Sequence, residues 1–301
     1  MAPVIYLSIC IPTFNRCEVL DYSLQMLFSN PEFDFEQIEV IVCDNCSTDD
    51  TAGVVAKYPH VKYYRNSENI RDLNFAVALG HATGRYLKLF NDTLSFKSGG
   101  LKFILDCIKS KLEFKENLFF YNNMFLNKNC QKETSSINEY IKQVSFQTTW
   151  IANFGVWRED FQLVTDKEKY VQYQFTQVDW TYQIVANGKK TNIYFNEFYD
   201  VVPTKQKGSY NVFDTFINKY LFVVKHVKLP LLVYELEKYR LCKYFVYPWL
   251  VMLFITEKNT YSFDIRGVFK IIFLKYWYEP YLYVILFKFW IIKMRNEKYN
   301  K

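Results

Sequence analysis

No stretch of this chain reaches the roughly 20 uninterrupted apolar residues that a membrane-spanning helix needs. The nearest candidates, Tyr244 to Thr256 and Tyr276 to Phe287, are too short, and Glu279, Pro280 and recurring lysines interrupt this region. A basic segment followed by an apolar core is also missing from the start. Val4 to Ile11 runs directly into Pro12 and polar residues, so no secretory leader is expected. There are only three histidines. The seven cysteines are scattered, Cys43 and Cys46 are the only close pair, and no second pair or histidine cluster completes a zinc site. Together with the odd cysteine count, these absences argue for reduced thiols and residence in the cytosol. Half of the 301 residues are hydrophobic. That is enough to bury the core of one large domain, or of one domain with an appendage, and it excludes a disordered chain.

Charge is unevenly spread. Residues 219–301 carry a net +9, whereas residues 1–218 carry −3. The basic excess is interleaved with aromatic and aliphatic runs rather than with a nucleic-acid reading motif, so nucleic acid is not the expected partner. Amphipathic helices lying on an anionic membrane surface account for both the charge and the aromatics. A basic helical subdomain or an oligomer contact is the plainer alternative.

The first 125 residues alternate between strand and helix patterns. Val4 to Ile11 and Glu39 to Cys43 are nearly continuous apolar runs, as expected of strands covered on both faces. Between them Val19, Leu20, Leu24, Leu27 and Phe28 recur at helical spacing, and Asn15 with Glu18 resembles a capping box. Ser47 and Asp50 open a short helix, Val61 to Arg65 reads as a third strand, and Asp72 to Thr83 reads as a helix closed by Gly84. Tyr86 to Phe90 is a fourth strand, and Leu118 to Tyr121 adds another to the same layered sheet. Residues 127–139 read as a polar loop, 145–200 as short aromatic strands with a helix near Asp179 to Ala186, and 203–212 as a mobile loop.

Three of these strands end in polar turns, the second and third of them acid-bearing: Pro12-Thr13-Phe14-Asn15-Arg16, Asp44-Asn45-Cys46-Ser47-Thr48-Asp49 and Asn91-Asp92-Thr93. In open α/β sheets ligands bind outside the carboxyl ends of the strands, so the three turns should line one crevice.

In this order the turns resemble those of the family 2 glycosyltransferases, especially bacterial enzymes of O-antigen and capsule assembly. The resemblance covers about residues 4–215. It implies an α/β GT-A fold, a Rossmann-like mixed sheet flanked by helices, with a C-terminal aromatic and basic helical extension. The domains would be 1–215 (a nucleotide-binding half, 1–125, and an acceptor half with a lid loop, 126–215) and a membrane-associating 216–301. The implied activity is transfer of a sugar, with inversion, from a nucleotide-diphosphate sugar to a hydroxyl of a lipid-linked saccharide acceptor. This would take place on the inner face of the cytoplasmic membrane.

The resemblance places Pro12, Thr13, Phe14 and Asn15 beside the nucleoside. Asp44 would accept the N3–H of uracil or thymine, which favours a UDP or dTDP donor; its alternative role is to cap the following helix. Asn69 and Arg71 either line the nucleotide pocket or belong to a solvated loop, where Ile70 stands in place of the usual glycine. Asn74 reads equally well as a surface position. Relatives carry Asp-x-Asp or Asp-Asp-Asp after the fourth strand, so Asn91-Asp92-Thr93 implies weakened Mg²⁺ or Mn²⁺ binding through Asp92, with Asn91 and Thr93 in support; a metal-independent enzyme is the alternative. Lys205 and Lys207 would meet the diphosphate from the lid, or are ordinary solvated lysines. Asp179 would be the catalytic base, with a helix N-cap as its alternative. Trp150, Asn153 and Trp180 would contact the acceptor, although core packing is the commoner fate of a tryptophan; Trp157, Gly155 and Arg158 resemble the same acceptor-facing strand and turn.

A catalytically inactive nucleotide-sugar-binding scaffold is the rival reading of the eroded acidic motif. An enzyme that makes nucleotide sugars would need a glycine-rich, Arg/Lys-bearing loop near the N-terminus, and none is present.

Overall fold

A computed structural model describes residues 4–122, 129–202, 210–256 and 262–299, with side chains as far as 296. The chain divides into two compact units, Met1–Gln143 with Gln147–Thr204, and Val144–Phe146 with Lys205–Lys301. The division expected after residue 215 falls inside the second of these.

The first unit runs β1 (Leu7–Thr13), α1 (Cys17–Phe28), β2 (Ile38–Asp44), α2 (Thr51–Ala56), β3 (Val61–Arg65), α3 (Leu73–Gly80) and β4 (Tyr86–Leu89). It continues through β5 (Leu94–Phe96), α4 (Gly100–Ser110), β6 (Asn117–Asn122), β7 (Cys130–Thr134), α5 (Ile137–Val144) and β8 (Gly155–Trp157). It ends with α6 (Arg158–Leu163), α7 (Thr176–Val185), β9 (Thr191–Asn196) and β10 (Tyr199–Val201). Every residue of β1 and β2 is buried, which explains their unbroken apolar character.

The main sheet has the order β3-β2-β1-β4-β8, parallel except for β8, which runs antiparallel to β4 at the edge. From β1 the chain passes first to β2 and β3 on one side and then to β4 on the other. The carboxyl ends of β1 and β4 therefore flank the point where strand order reverses.

Two expectations need correction. The strand near Leu118 to Tyr121 is β6, but it pairs with β9 in a separate sheet of order β6-β9-β7 instead of extending the main one. Within the expected loop 127–139, residues 130–134 form a strand and 137–139 open the helix Ile137–Val144. β7 reads as polar because its central residues are exposed, as is common at a sheet edge; residues 123–128 lie outside the described residues.

Glycine matters at two packing points. A Cβ on Gly155 would strike the Tyr86 ring and hydroxyl, and one on Gly84 would strike Ser8 Oγ. Tyr86 uses the space beside Gly155 to pack edge-on to Trp157 and to donate to the Leu118 carbonyl at 2.5 Å. Lys88 on β4 is fully buried, with Nζ donating to the Ala152 carbonyl at 2.5 Å, and burial lowers its pKa to about 7.

The opposite end of the sheet is organised by Glu39. Its carboxylate accepts from Ser8 Oγ (2.5 Å), Lys62 Nζ (2.5 Å) and the backbone amides of Thr83 (2.6 Å) and Gly84 (3.0 Å). It thereby ties β1, β2, β3 and the approach to β4 together.

The second unit is helical: α8 (Val212–Asp214), α9 (Leu221–His226), α10 (Leu231–Leu241), α11 (Tyr247–Val251), α12 (Val268–Tyr276) and α13 (Pro280–Tyr299), with π-helical turns at 215–220, 242–246 and 252–256. Buried Lys238 is compensated by Glu279 (2.5 Å) and the Tyr278 hydroxyl (2.6 Å). Buried Glu237 takes the Tyr220 hydroxyl at 2.8 Å, and burial raises its pKa to about 7. No described helix is long and apolar enough to cross a membrane.

Burial pushes the Glu39 carboxyl up, but Lys62, Ser8 and Thr83 more than reverse this, so its pKa is lowered overall. Glu39→Gln should cost about 2 kcal/mol at neutral pH. Because the folded pKa is depressed, the contribution is complete above the ordinary glutamate range and fades as pH falls through the folded value. Denaturant melts at several pH values should show the gap from the parent chain closing on the acid side.

Candidate active site

The crevice at the carboxyl ends of β1, β2, β3 and β4 is built by side chains that reach from one turn to the next. After β1, Phe14, Asn15 and Arg16 are exposed while Pro12 and Thr13 are buried. Asn15 adopts the left-handed conformation (φ 51°), which asparagine tolerates better than most residues. Its backbone N–H donates to Ser47 Oγ at 2.9 Å, and its Oδ1 accepts from the Thr48 amide at 2.7 Å. Asn15 is thus a clamp between the first two turns and does not form the capping box expected with Glu18. The first amide of α1, on Cys17, is capped by Asp49 at 2.9 Å, and the same carboxylate accepts from Thr51 at the start of α2.

Asp44 is fully buried and both of its oxygens are engaged, Oδ1 by the Ser47 amide at 2.8 Å and Oδ2 by the Tyr63 hydroxyl at 2.7 Å. Asp44 therefore joins the turn after β2 to β3 and does not cap α2, which begins at Thr51. With no face of the carboxylate open to solvent, the expected contact with a uracil or thymine N3–H has no support in this geometry. Burial, followed by the bond to Asp44, raises the Tyr63 pKa, so Tyr63 remains a neutral donor.

Asn45 holds the loop after β3. Its Nδ2 donates to Asn69 Oδ1 (2.9 Å) and to the Arg71 carbonyl (3.2 Å), while its Oδ1 accepts from Asn66 Nδ2 (3.1 Å) and the Ile70 amide (2.9 Å). The left-handed residue of this loop is Arg71 (φ 54°), which explains how Ile70 can replace a glycine. Asn74 is a buried member of the network rather than a surface residue, bonded to the Cys43 carbonyl and to Asn66.

At the end of β4, Asp92 is 3% exposed. Oδ2 accepts from Thr13 Oγ1 at 2.9 Å and Oδ1 from Arg16 Nη1 at 3.1 Å. Burial raises its pKa, and Arg16 and Thr13 oppose that shift. The Asn91 amide oxygen is buried without a hydrogen-bond partner among the described residues. Among the described residues no group of three or more His, Cys, Asp or Glu is placed to hold a metal ion. The one carboxylate of the motif already carries a guanidinium, and Asn91 and Thr93 are neutral. The residues present therefore do not fit the divalent ion expected at Asp92 and Thr93.

The structure joins Thr13, Asn15, Asp44, Asn69, Arg71 and Asp92 into one hydrogen-bonded set and adds Arg16, Asn45, Ser47 and Tyr63, which sequence reasoning had not assigned. Arg16 stood inside the quoted motif, and its charge one residue after the turn was the available signal. Lys205 and Lys207 lie outside the described residues.

Asp179 makes no recorded contact with this set. It lies in the first turn of α7 without capping it, is largely buried, and accepts from Gln183 Nε2 at 2.7 Å. Burial raises its pKa, with Gln183 and Lys169 opposing. Trp180 is a correction. It is 1% exposed and packed edge-on between Phe154 and Phe161, so it has no face for a sugar. It instead anchors α7 beside Phe154, whose carbonyl accepts from the Leu89 amide near the end of β4. Asn153 is buried and donates to the Gln147 carbonyl, and Trp150 is half-buried and edge-on to Tyr199. Buried Asn153 is not presented as an acceptor contact, whereas Trp150 keeps part of its surface exposed. Trp157 is buried against Tyr86, and Arg158 serves the Thr83 carbonyl.

The layered unit has the GT-A fold. The chain superimposes on Staphylococcus aureus TarS 1–349 in complex with UDP-GlcNAc with a TM-score of 0.57 and 16% identity, covering 90% of this chain and 82% of the other. On the mannosyltransferase PcManGT of Pyrobaculum calidifontis in complex with GDP-Man and Mn²⁺ the TM-score is 0.55 at 12% identity, covering 99% and 88%. Residues 8–106 match the model of glycosyl transferase family 2. Over 90 residues it is 34% identical to abequosyltransferase RfbV of Salmonella typhimurium, covering 28% of this chain and 27% of the relative. Over 105 residues it is 30% identical to the GalNAc(5)-diNAcBac-PP-undecaprenol beta-1,3-glucosyltransferase of Campylobacter jejuni, covering 33% of each. The chain therefore spans only about a quarter to a third of the length of these curated relatives.

Asp49→Ala removes the side-chain bonds at the start of both α1 and α2 and should lower stability by about 1–2 kcal/mol. Denaturant unfolding checks this, and an unchanged midpoint would show that water replaces both bonds at no cost.

Proposed function

We propose that this protein is an inverting glycosyltransferase that moves a sugar from a nucleoside-diphosphate donor to a hydroxyl of a lipid-linked saccharide in cell-surface polysaccharide assembly. The observation that carries the reading is the hydrogen-bonded union of the strand-end turns at the switch point of a GT-A sheet, within the segment that matches family 2. The names of the two curated relatives support the chemistry, and that of the Campylobacter enzyme supports a polyprenol-linked acceptor. The two structural neighbours carry different nucleotides, UDP-GlcNAc and GDP-Man, so the fold does not select the base.

In this reading Asp179 is the general base. The acceptor hydroxyl oxygen forms a bond to the anomeric carbon as the bond to the diphosphate oxygen breaks. The hydroxyl proton goes to Asp179, and the bonding pair leaves with the nucleoside diphosphate. One displacement inverts the anomeric centre. A base with a raised pKa takes the proton more readily, provided it is ionised at the working pH.

The second unit presents an aromatic face. Leu282, Ile285 and Phe289 of α13 are buried, whereas Tyr283, Val284, Phe287 and Trp290 of the same helix and Phe273 and Trp277 at the end of α12 are exposed. Lys288 of α13 is exposed, and half-buried Lys293 lies over the Trp290 ring. Apolar residues on both sides of a partly exposed helix, with interleaved lysines, favour seating on an anionic lipid surface.

Asp179→Asn should lower turnover at least 10³-fold while donor affinity stays within a few-fold; product analysis and equilibrium titration separate the two effects. The acid limb of the pH–rate profile should lie above the ordinary aspartate range, because burial raises the Asp179 pKa and activity is lost as the base is protonated. Donor binding by the parent chain without any turnover would favour the inactive scaffold. For the second unit, co-sedimentation with phosphatidylglycerol vesicles should exceed that with phosphatidylcholine vesicles, and Trp277→Asp with Phe287→Asp should reduce it at least tenfold. Equal recovery with both lipids would contradict the membrane assignment.

A further inference from the structure

We infer that Arg16, and not a divalent ion held by Asp92, supplies the positive charge that meets the donor diphosphate. This rests on the transferase reading and makes one residue responsible for its charge balance.

Burying Asp92 carries a cost. A carboxylate that is 3% exposed must be compensated where it stands. Thr13 Oγ1 serves one oxygen and Arg16 Nη1 the other. The carboxylate is therefore already matched to a cation, and a divalent ion approaching the same oxygen would have to displace or repel the guanidinium. Asn91 and Thr93 add no charge, and the Asn91 amide oxygen is buried away from solvent.

Arg16 is suited to the role by its two faces. Its side chain is 54% exposed, while the carboxylate it holds is almost wholly enclosed. A guanidinium has five N–H donors, and one is recorded on Asp92. With more than half of the side chain exposed, further donors can meet a phosphate, which a guanidinium matches in geometry as well as charge. The backbone does not supply this charge as readily. The first amide of α1, which could have met an anion, is already occupied by Asp49. Asp92 is then a positioning residue that holds the fork of Arg16 at the switch point, and Thr13 fixes Asp92. As the anomeric C–O bond breaks, the charge that develops on the departing diphosphate is met by Arg16, with no net transfer of a proton to it.

The test is calorimetric titration of the full chain with UDP, dTDP, CDP and GDP, and with the matching nucleosides, in EDTA and in Mn²⁺. The diphosphate that binds tightest should bind in EDTA within about threefold of its affinity in Mn²⁺. Arg16→Ala should weaken it at least tenfold and leave the nucleoside unchanged, and Arg16→Lys should recover part of the loss. Asp92→Asn, which keeps an acceptor for Thr13 but removes the charge, should be milder than Arg16→Ala. Binding that requires Mn²⁺, survives Arg16→Ala and is lost in Asp92→Asn would overturn the inference in favour of a metal site. An equal loss of nucleoside and diphosphate in Arg16→Ala would overturn it as well, since the variant would then act through the shape of the turn. If the parent chain binds no diphosphate in either condition, the transferase reading itself fails. That result is distinct from a parent chain that binds without needing Arg16.

Discussion

A single buried carboxylate at the point where strand order reverses sets the terms for the rest of the site. Asp92 lies at the end of β4, beside the end of β1, where burial makes an uncompensated negative charge expensive. Thr13 and Arg16, both from the turn after β1, meet it, so two neighbouring strand ends are fixed relative to each other by one carboxylate. The exposed side of Arg16 then gives these strand ends a cation beside the buried carboxylate. Every functional conclusion about the donor side follows from that exchange of partners.

The other turns are held by the same device. Asn15 reaches from the first turn to the second, Asn45 from the second to the loop after β3, and Asp49 from the second back to α1. Polar residues that would be ordinary loop content in isolation act as cross-braces because the parallel register brings their strand ends side by side. Rigidity of this kind suits a nucleotide site, since donors held in place before binding lose little entropy when the ligand arrives. The Glu39 cluster fixes the opposite end of the same strands, so register is set from both ends.

The parallel sheet was legible in the sequence because continuous apolar strands and helical spacing are local properties. The short strand-end motifs were legible because their chemistry sits within a few residues. What escaped was non-local. The bonds of Asn74 to Asn66 and Cys43 have no signature in spacing, and the pairing of Arg16 with Asp92 joins residues 76 positions apart. Trp180 illustrates a second limit. A tryptophan next to a candidate base suggests sugar stacking, but its burial between Phe154 and Phe161 depends on the packing of α6, α7 and the segment before β8. Residues 130–134 failed for a third reason: an edge strand with exposed central positions carries no apolar pattern, so it reads as a loop. Asp44 looked like a base-recognition residue because its motif is specific, yet both of its oxygens are engaged inside the protein, one by the Ser47 amide of its turn and one by Tyr63 on β3.

The central claim is that the joined turns after β1 and β4 receive the donor diphosphate. The most direct measurement is a crystal structure of the chain with its tightest-binding nucleoside diphosphate. The account places the phosphate oxygens within hydrogen-bonding distance of the Arg16 guanidinium, with Asp92 still bonded to Thr13. A nucleotide bound elsewhere on the chain, or one whose diphosphate lies away from Arg16, would contradict it.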